Sequence, residues 1–325
     1  APRRAEAHQM ETAETDDEIR VPRDEADYRE QCRDTDTRDD LLQATIEQWV
    51  DDLERDVKDA TESEQFEQWL STQARFHDYS FRNSILIRRQ CPDATRVAGY
   101  RTWQELDRQV QSGERAIWIR APLRVRVCPS CGESVQRHDD CEVEKPSEEW
   151  PRKVVGFRSV AVFDISQTEG EPLPELHRKA DGEADWLLDI LLQVAAEWTV
   201  EVRIIADEEW PHGSAWGVYG TADDRIDLRD RENTADLVRT FVHELAHARL
   251  HPEVPVDSQQ AAAFELDAEA TAAIVGRHFG LDTSGSKWYL SAWAHDEDVS
   301  VAERCEVIGQ TAQELIRRIN AEADG

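Results

Sequence analysis

The sequence predicts an α+β protein of two domains, and three observations carry that reading. Apolar residues recur at helical spacing in several long stretches, and short runs of strand-like alternation lie between them. A Pro- and Gly-bearing stretch, Glu169-Gly-Glu-Pro-Leu-Pro-Glu175, then divides a half rich in arginine and aromatic residues from a half that carries a metal-ligand motif. At 325 residues the chain is long enough for two cores, and its hydrophobic fraction of 39% is lower than in a typical globular chain but not that of a disordered one.

Residues 1 to about 40 are charged and aperiodic, which predicts a disordered acidic tail. From Asp40 onward Leu41, Leu42, Ile46, Trp49, Val50, Leu53 and Val57 predict a helix. A second helix carries Phe66, Trp69, Leu70 and Phe76, and a third Ile85, Leu86 and Ile87; all three are expected to pack on a small sheet with strands at roughly 120–127 and 153–163. After a linker at 169–184, the second domain (185–325) opens with a helix bearing Trp186, Leu187, Leu188, Ile190, Leu191, Val194 and Ala195. The run Val200–Ala206 and strands at Trp216–Tyr219 and Arg225–Leu228 come next, then the helix of the metal motif, one from about Ser258 to His278, and two around Trp288–Trp293 and Val301–Ile319. No internal repeat is evident.

The second half is organised around His243-Glu244-Leu245-Ala246-His247. Histidines four apart share one face of a helix, so their ring nitrogens can converge on one ion while Glu244 lies beside them. This is the HExxH pattern of zinc peptidases, in which the metal acidifies a water and the glutamate takes its proton, later delivering it to the leaving amine. A tetrahedral site needs a third protein ligand. His251 lies about 12 Å from His243 along a continuous helix, too far unless the helix breaks early. Glu265 and Glu269 share a face of the next helix, and Glu265 is read as the third ligand with Glu269 holding a ligand histidine in its tautomer, although the two roles could be exchanged. Tyr219 and His212 are both candidates to stabilise an oxyanion.

The formal charge of −31, from 69 acidic residues against 38 basic, ordinarily argues against nucleic-acid and membrane partners. Only five of the basic residues are lysine, and eleven tryptophans argue against disorder. That balance reads as a folded protein of a salt-loaded, halophilic cytoplasm. No segment approaches the ~18 consecutive apolar residues of a membrane span, and no apolar signal-peptide core opens the chain. The expectation is a soluble cytoplasmic protein with no membrane partner. Six cysteines with one cluster suit free thiols and a metal site better than a disulfide framework.

Positive charge concentrates in residues 71–127, which hold eleven arginines against five acidic residues. Interleaved with Phe76, Tyr79, Phe81, Tyr100, Trp103 and Trp118, these arginines resemble a single-strand nucleic-acid surface, where guanidinium groups track phosphates and rings stack on bases. The alternative is that the arginines pair with acidic helices nearby while the aromatics form core.

Tyr79-Ser-Phe-Arg-Asn-Ser-Ile-Leu-Ile87, Cys91-Pro-Asp-Ala-Thr-Arg-Val-Ala-Gly-Tyr-Arg-Thr-Trp103, Val110-Gln-Ser-Gly-Glu-Arg-Ala-Ile117 and Phe163-Asp-Ile-Ser-Gln-Thr168 resemble the N-terminal domain of ArdC-type antirestriction proteins. That family joins a single-stranded-DNA-binding domain to a zincin-like metallopeptidase domain, similar also to the ImmA/IrrE peptidases. The resemblance spans about residues 41–320. It implies a small mixed α/β DNA-binding domain at 41–168, with Asn83, Tyr100, Trp103 and Gly113 in that half and Arg82, Arg96, Arg101 and Arg115 among its candidate DNA contacts. For the metal site it implies His243, Glu244, His247 and Glu265. In zincins an edge strand lies above the metal and could pair with an extended peptide.

One departure is an insert at 128–150. Cys128-Pro-Ser-Cys131-Gly is a zinc-knuckle turn, and His138 with Cys141 would complete a Cys₃His set for a second, structural zinc. The combined expectation is a zinc peptidase acting on a protein or peptide substrate, coupled to single-stranded-DNA binding in an antirestriction or mobile-element setting. The alternative is a non-catalytic DNA-binding antirestriction protein whose zinc domain is structural.

Overall fold

Side chains that accept hydrogen bonds from exposed amides start the principal helices. The computed structural model describes residues 19–59, 63–138, 146–173, 184–252, 258–283, 288, 290–294 and 299–323. The first half contains α1 (Glu25–Gln31), α2 (Thr35–Lys58), α3 (Glu64–Arg75), α4 (Phe81–Gln90), β1 (Val97–Gly99), α5 (Tyr100–Glu105), β2 (Arg108–Val110), β3 (Ile117–Arg126), β4 (Arg152–Asp164) and β5 (Thr168–Gly170). The second contains α6 (Asp185–Glu197), β6 (Glu201–Ile205), β7 (Gly217–Gly220), β8 (Arg225–Arg229), α7 (Thr234–Leu250), α8 (Ser258–Phe279) and α9 (Val301–Ala323). Asp34, Ser63, Ser80 and Asn233 cap α2, α3, α4 and α7 with side-chain oxygens, each worth about 1 kcal/mol. No helix among the described residues is long and apolar enough to cross a membrane.

The first half is built on an antiparallel sheet in the order β1-β4-β3, with β2 and β5 as a separate pair. The outer edge of β3 is closed by amide side chains of α4. Gln90 bonds both the amide and the carbonyl of Trp118, and Asn83 does the same for Arg120 at 2.9 and 3.0 Å. Two amides two helical turns apart thus stand in for a neighbouring strand, which answers the exposed-edge problem. The second half has a three-stranded sheet, order β6-β8-β7, with β6 parallel and β7 antiparallel to β8. Ile226 and Leu228 of β8 are buried toward the helices, and Asp227 between them faces the other way, bonded to Arg203, Arg225 and His212.

Three features differ from the sequence expectation. The acidic segment before residue 40 is helical from Glu25, because Tyr28 and Cys32 bury themselves against Leu41, Leu42 and Leu86. The first two residues of the expected linker, 169 and 170, belong to β5, and 174–183 lie outside the described residues. The two halves also share one core, although the sheet of the first half rests on a smaller cluster of its own, Phe76, Ile87, Ala94, Ile117, Ile119 and Val162. Phe66, Trp69 and Phe81 belong to the same buried cluster as Leu187, Phe241, Ile274 and Leu315. Phe66 of α3 stands at the junction, its ring 5.4 Å from Trp69, 5.8 Å from Trp288 and 5.3 Å from Trp293.

A continuous core predicts one cooperative unfolding transition for both halves. Phe66→Ala is expected to lower stability by about 3–5 kcal/mol and to shift that transition as a unit. Denaturant unfolding followed by tryptophan fluorescence and by far-UV circular dichroism checks this, and two separated transitions would contradict it.

Candidate functional site

The apolar face of α7, Leu237, Val238, Phe241, Val242 and Leu245, is buried, which turns His243 and His247 toward α8. There the His243 and His247 Nε2 atoms are 3.1 Å apart, and the Glu265 carboxylate lies 3.3 Å from the first and 3.4 Å from the second. Ligands held tetrahedrally about 2.0–2.1 Å from an ion stand about 3.3–3.4 Å from one another. The carboxylate meets the two rings through different oxygens, Oε2 toward His243 and Oε1 toward His247, and the three side chains lie close enough together to hold a divalent cation. Glu269, one turn beyond Glu265, bonds Nδ1 of His243 at 3.1 Å, which leaves Nε2 as that ring's ligand atom. This geometry separates the two carboxylate roles that spacing left open. His251 ends α7 and stacks on Phe264 at 3.7 Å, outside the trio.

Electrostatics agree with a cation site. Burial pulls the His243 pKa down, but Glu265 and Glu269 on its two nitrogens overcome this and raise it to about 10. Hydrogen bonds to His243 and His247 hold the Glu265 carboxyl well below its usual range. Glu244 is 6% exposed; burial pushes its pKa up, opposed by His243 and His247, as suits a proton acceptor. Its place depends on Gly217, where an added Cβ would lie 2.6 Å from Glu244 Oε1 and from Thr240 Cγ2.

A cavity of about 580 Å³ opens over this cluster, walled by Trp216, Gly217, Val218 and Tyr219 on one side and by Thr240, His243, Glu244 and His247 on the other. The two oxyanion candidates separate here. His212 bonds Asp227 at 2.9 Å and is not among the cavity's lining residues; Tyr219 lines the cavity, but its hydroxyl donates to Asp224 at 2.9 Å.

Cys128, Cys131 and His138 also bring their ligand atoms within 4.8 Å of one another. Gly132 at φ +78° turns the knuckle, the Ser130 amide donates to Cys128 Sγ at 3.4 Å, and His138 Nε2 is buried without a hydrogen-bond partner among the described residues. These are features of a ligand set for a metal. Cys141 lies outside the described residues.

The expected DNA contacts divide in two. Trp103 is 1% exposed and donates to the Phe163 carbonyl at 3.0 Å, and Asn83 is consumed by its clasp on β3, so both are framework rather than contact residues. Arg82 pairs with Glu306, Arg115 lies 3.8 Å from Glu30, and the Arg96 amide is held by Asp164. Tyr100 and Arg101 are exposed. A larger basic surface was missed because it is assembled across two strands. β3 and β4 carry five arginines and a lysine with no acidic residue before Asp164. Opposed pairs put Arg120, Pro122, Arg124 and Arg126 on one face with Phe157, Val154 and Arg152. Phe157 is 53% exposed, and the Arg120 guanidinium lies 5.5 Å from its ring centroid.

Comparison with known proteins bears on this half first. Residues 36–163 match the N-terminal domain of the anti-restriction factor ArdC. The matched stretch runs from α2 to β4 and takes in Cys128, Cys131, His138 and the basic hairpin. An uncharacterized protein of Bacillus anthracis is 26% identical over 279 residues, 76% of this chain; the chain spans 46% of that relative's length. Two crystal structures of the antirestriction ArdC protein of plasmid R388 are also similar. The metal-free form has a TM-score of 0.45 at 19% identity, covering 74% of this chain and 85% of that one. The Mn(II)-bound form has a TM-score of 0.47 at 18% identity, covering 86% and 98%.

The raised His243 pKa fixes the sign of a pH dependence. In the metal-free chain a cation must displace the proton that His243 holds below about pH 10, so metal binding at pH 7 is expected to release roughly one proton. Apparent affinity should rise with pH through the neutral range. Calorimetric titration in buffers of different ionisation enthalpy measures both, and pH-independent affinity between 6 and 9 would contradict the assignment.

Proposed function

We propose that this chain is a zinc-dependent peptidase joined to a single-stranded-DNA-binding segment, acting in antirestriction or in the establishment of mobile DNA. The observation that carries the hydrolytic part is the ligand trio set beside a buried glutamate in one cavity. The cation, when bound, supplies Lewis acidity toward a water and a substrate carbonyl. His243, His247 and Glu265 hold it, and Glu269 fixes the His243 tautomer. Glu244, buried beside the trio, would serve as the proton acceptor for that water and as the donor to the leaving amine. Among the described residues β7 pairs with β8 on one edge, and its residues 217–219 line the cavity, where an extended peptide could add along the other edge.

The DNA-binding part is supported by the ArdC match over 36–163 and by the hairpin face of β3 and β4. There guanidinium groups can follow a phosphate backbone while Phe157 offers a ring to a base. Cys128, Cys131 and His138, with Cys141, would hold a structural zinc at the end of that hairpin.

Two measurements test this. Glu244→Gln is expected to keep its metal by elemental analysis and to lose peptide cleavage by 10²–10⁴-fold, with loss of antirestriction in cells. Full antirestriction by that variant would make the chain a binding protein with a structural metal. On the DNA side, Phe157→Ala should weaken single-strand binding by about 1–3 kcal/mol. Arg120→Gln and Arg124→Gln should each reduce the slope of log K against log salt by about 0.7. Fluorescence anisotropy with a labelled oligonucleotide reads both effects, and unchanged binding in all three variants would remove the hairpin from the interface.

A further inference from the structure

Arginines gather at the entrance of the metal cavity. Arg239 and Thr240 precede His243 by four and three residues, share its face of α7 and line the cavity. Arg231, in the turn between β8 and α7, donates from Nη2 to Thr240 Oγ1 at 2.6 Å, and its guanidinium lies 4.3 Å from the centroid of Trp216. Arg229 approaches the same ring at 4.8 Å and is answered by Asp207. The Nε of Arg231 is buried with no hydrogen-bond partner, and Arg239 makes no ion pair or hydrogen bond among the described residues. Burial and the like charges of Arg239 and Arg229 pull the Arg231 pKa down against Asp236. Trp216 is 49% exposed beside them. In a chain of formal charge −31, positive groups collected at the mouth of a cation site require an explanation.

We propose that Arg239 and Trp216, held by Arg231 through Thr240 and the indole ring, form a subsite for an acidic side chain of the peptide substrate. The proposal rests on the hydrolytic reading and adds a substrate class to it. Arg239 lies about 6 Å from His243 along the helix axis, and an extended peptide advances about 3.4 Å per residue. The acidic residue therefore falls about two positions from the bond at the metal. Its carboxylate would meet Arg239, which lines the cavity, while its methylene groups pack on Trp216, whose ring is flanked by Arg231. A peptide suits the site better than a nucleic acid because residues 217–219 of β7 line the same cavity, and the alternating amides and carbonyls of a strand edge are matched in register by a second peptide backbone.

The test uses the metal-loaded full chain carrying Glu244→Gln and fluorescein-labelled peptides in which one glutamate, or the isosteric glutamine, is moved along an otherwise neutral sequence. Anisotropy is expected to show one position at which glutamate binds about ten- to a hundredfold tighter. Arg239→Gln should abolish that preference while leaving the glutamine peptide's affinity unchanged. Equal binding of both peptides at every position overturns this proposal and leaves the hydrolytic reading standing. Absence of binding by any peptide tells against the hydrolytic reading and takes this one with it. An oligonucleotide that competes with the peptide, and loses affinity with Arg239→Gln, would reassign the rim to nucleic acid.

Discussion

The packing of α8 against α7 sets every ligand atom of the metal cluster, and that packing turns on one buried carboxylate. Glu265 and Glu269 face α7, and Asp267 between them points to the other side of α8. There Arg304 of α9 donates to it at 2.6 Å and the indole of Trp293 at 2.8 Å, with His251 at 3.5 Å. Asp267 and Arg304 are each 4% exposed. A charge so placed is costly unless fully paired, so the network tolerates little rotation of α8 about its axis. With that rotation fixed, the two imidazoles and the Glu265 carboxylate keep closest approaches of 3.1–3.4 Å. The helices behind the site are thus part of its geometry.

Glu265 and Glu269 favour a proton on His243, so a cation entering the cluster takes the place of that proton between two carboxylates. Such preorganisation lowers the reorganisation needed on binding. Glu244 takes no part in that exchange. Its carboxylate is boxed by Gly217 on β7 and by its own helix, close to the trio but outside it. The carboxylate is confined by sterics here, and a methyl group at position 217 would force it or Thr240 to shift.

Much of the second half was legible because its signals are local. His243 and His247 at four-residue spacing, and Glu265 and Glu269 likewise, are helix-face statements that survive any tertiary arrangement. The strands around Val218 and Ile226 were marked by alternation and by the turn at Asp223 and Asp224. The first half resisted for a physical reason. An aromatic residue among arginines reads identically whether its ring stacks on a base or fills a core, and Trp103 fills a core. An amide such as Asn83 offers no sequence hint that it will clasp the backbone of Arg120, 37 residues away. The basic hairpin was half visible, since a window along the chain takes in β3 but separates it from Arg152 and Phe157, which only register places beside it. Arg231 and Arg239 likewise become a pair only through Thr240 and Trp216.

The continuous core changes what joining two activities would mean. Had the halves been tethered by the Pro- and Gly-bearing stretch alone, a bound strand would raise only the local concentration of substrate near the metal, by an amount set by linker length. The contacts between the halves are instead rigid ones. Glu67 of α3 accepts from Arg277 of α8 at 2.7 Å and from the Trp288 indole at 2.6 Å, and Phe66 fills the space beside Trp293. From α3 the path runs through Trp69 and Phe81 to α4, whose Asn83 and Gln90 grip β3 of the basic hairpin. The hairpin and the metal cavity are therefore held at a fixed separation and orientation by packed side chains and paired amides. A strand bound on the hairpin would not search for the cavity. Selection among proteins on that strand would then fall to geometry, because only a segment presented at the distance the core imposes can reach the edge of β7.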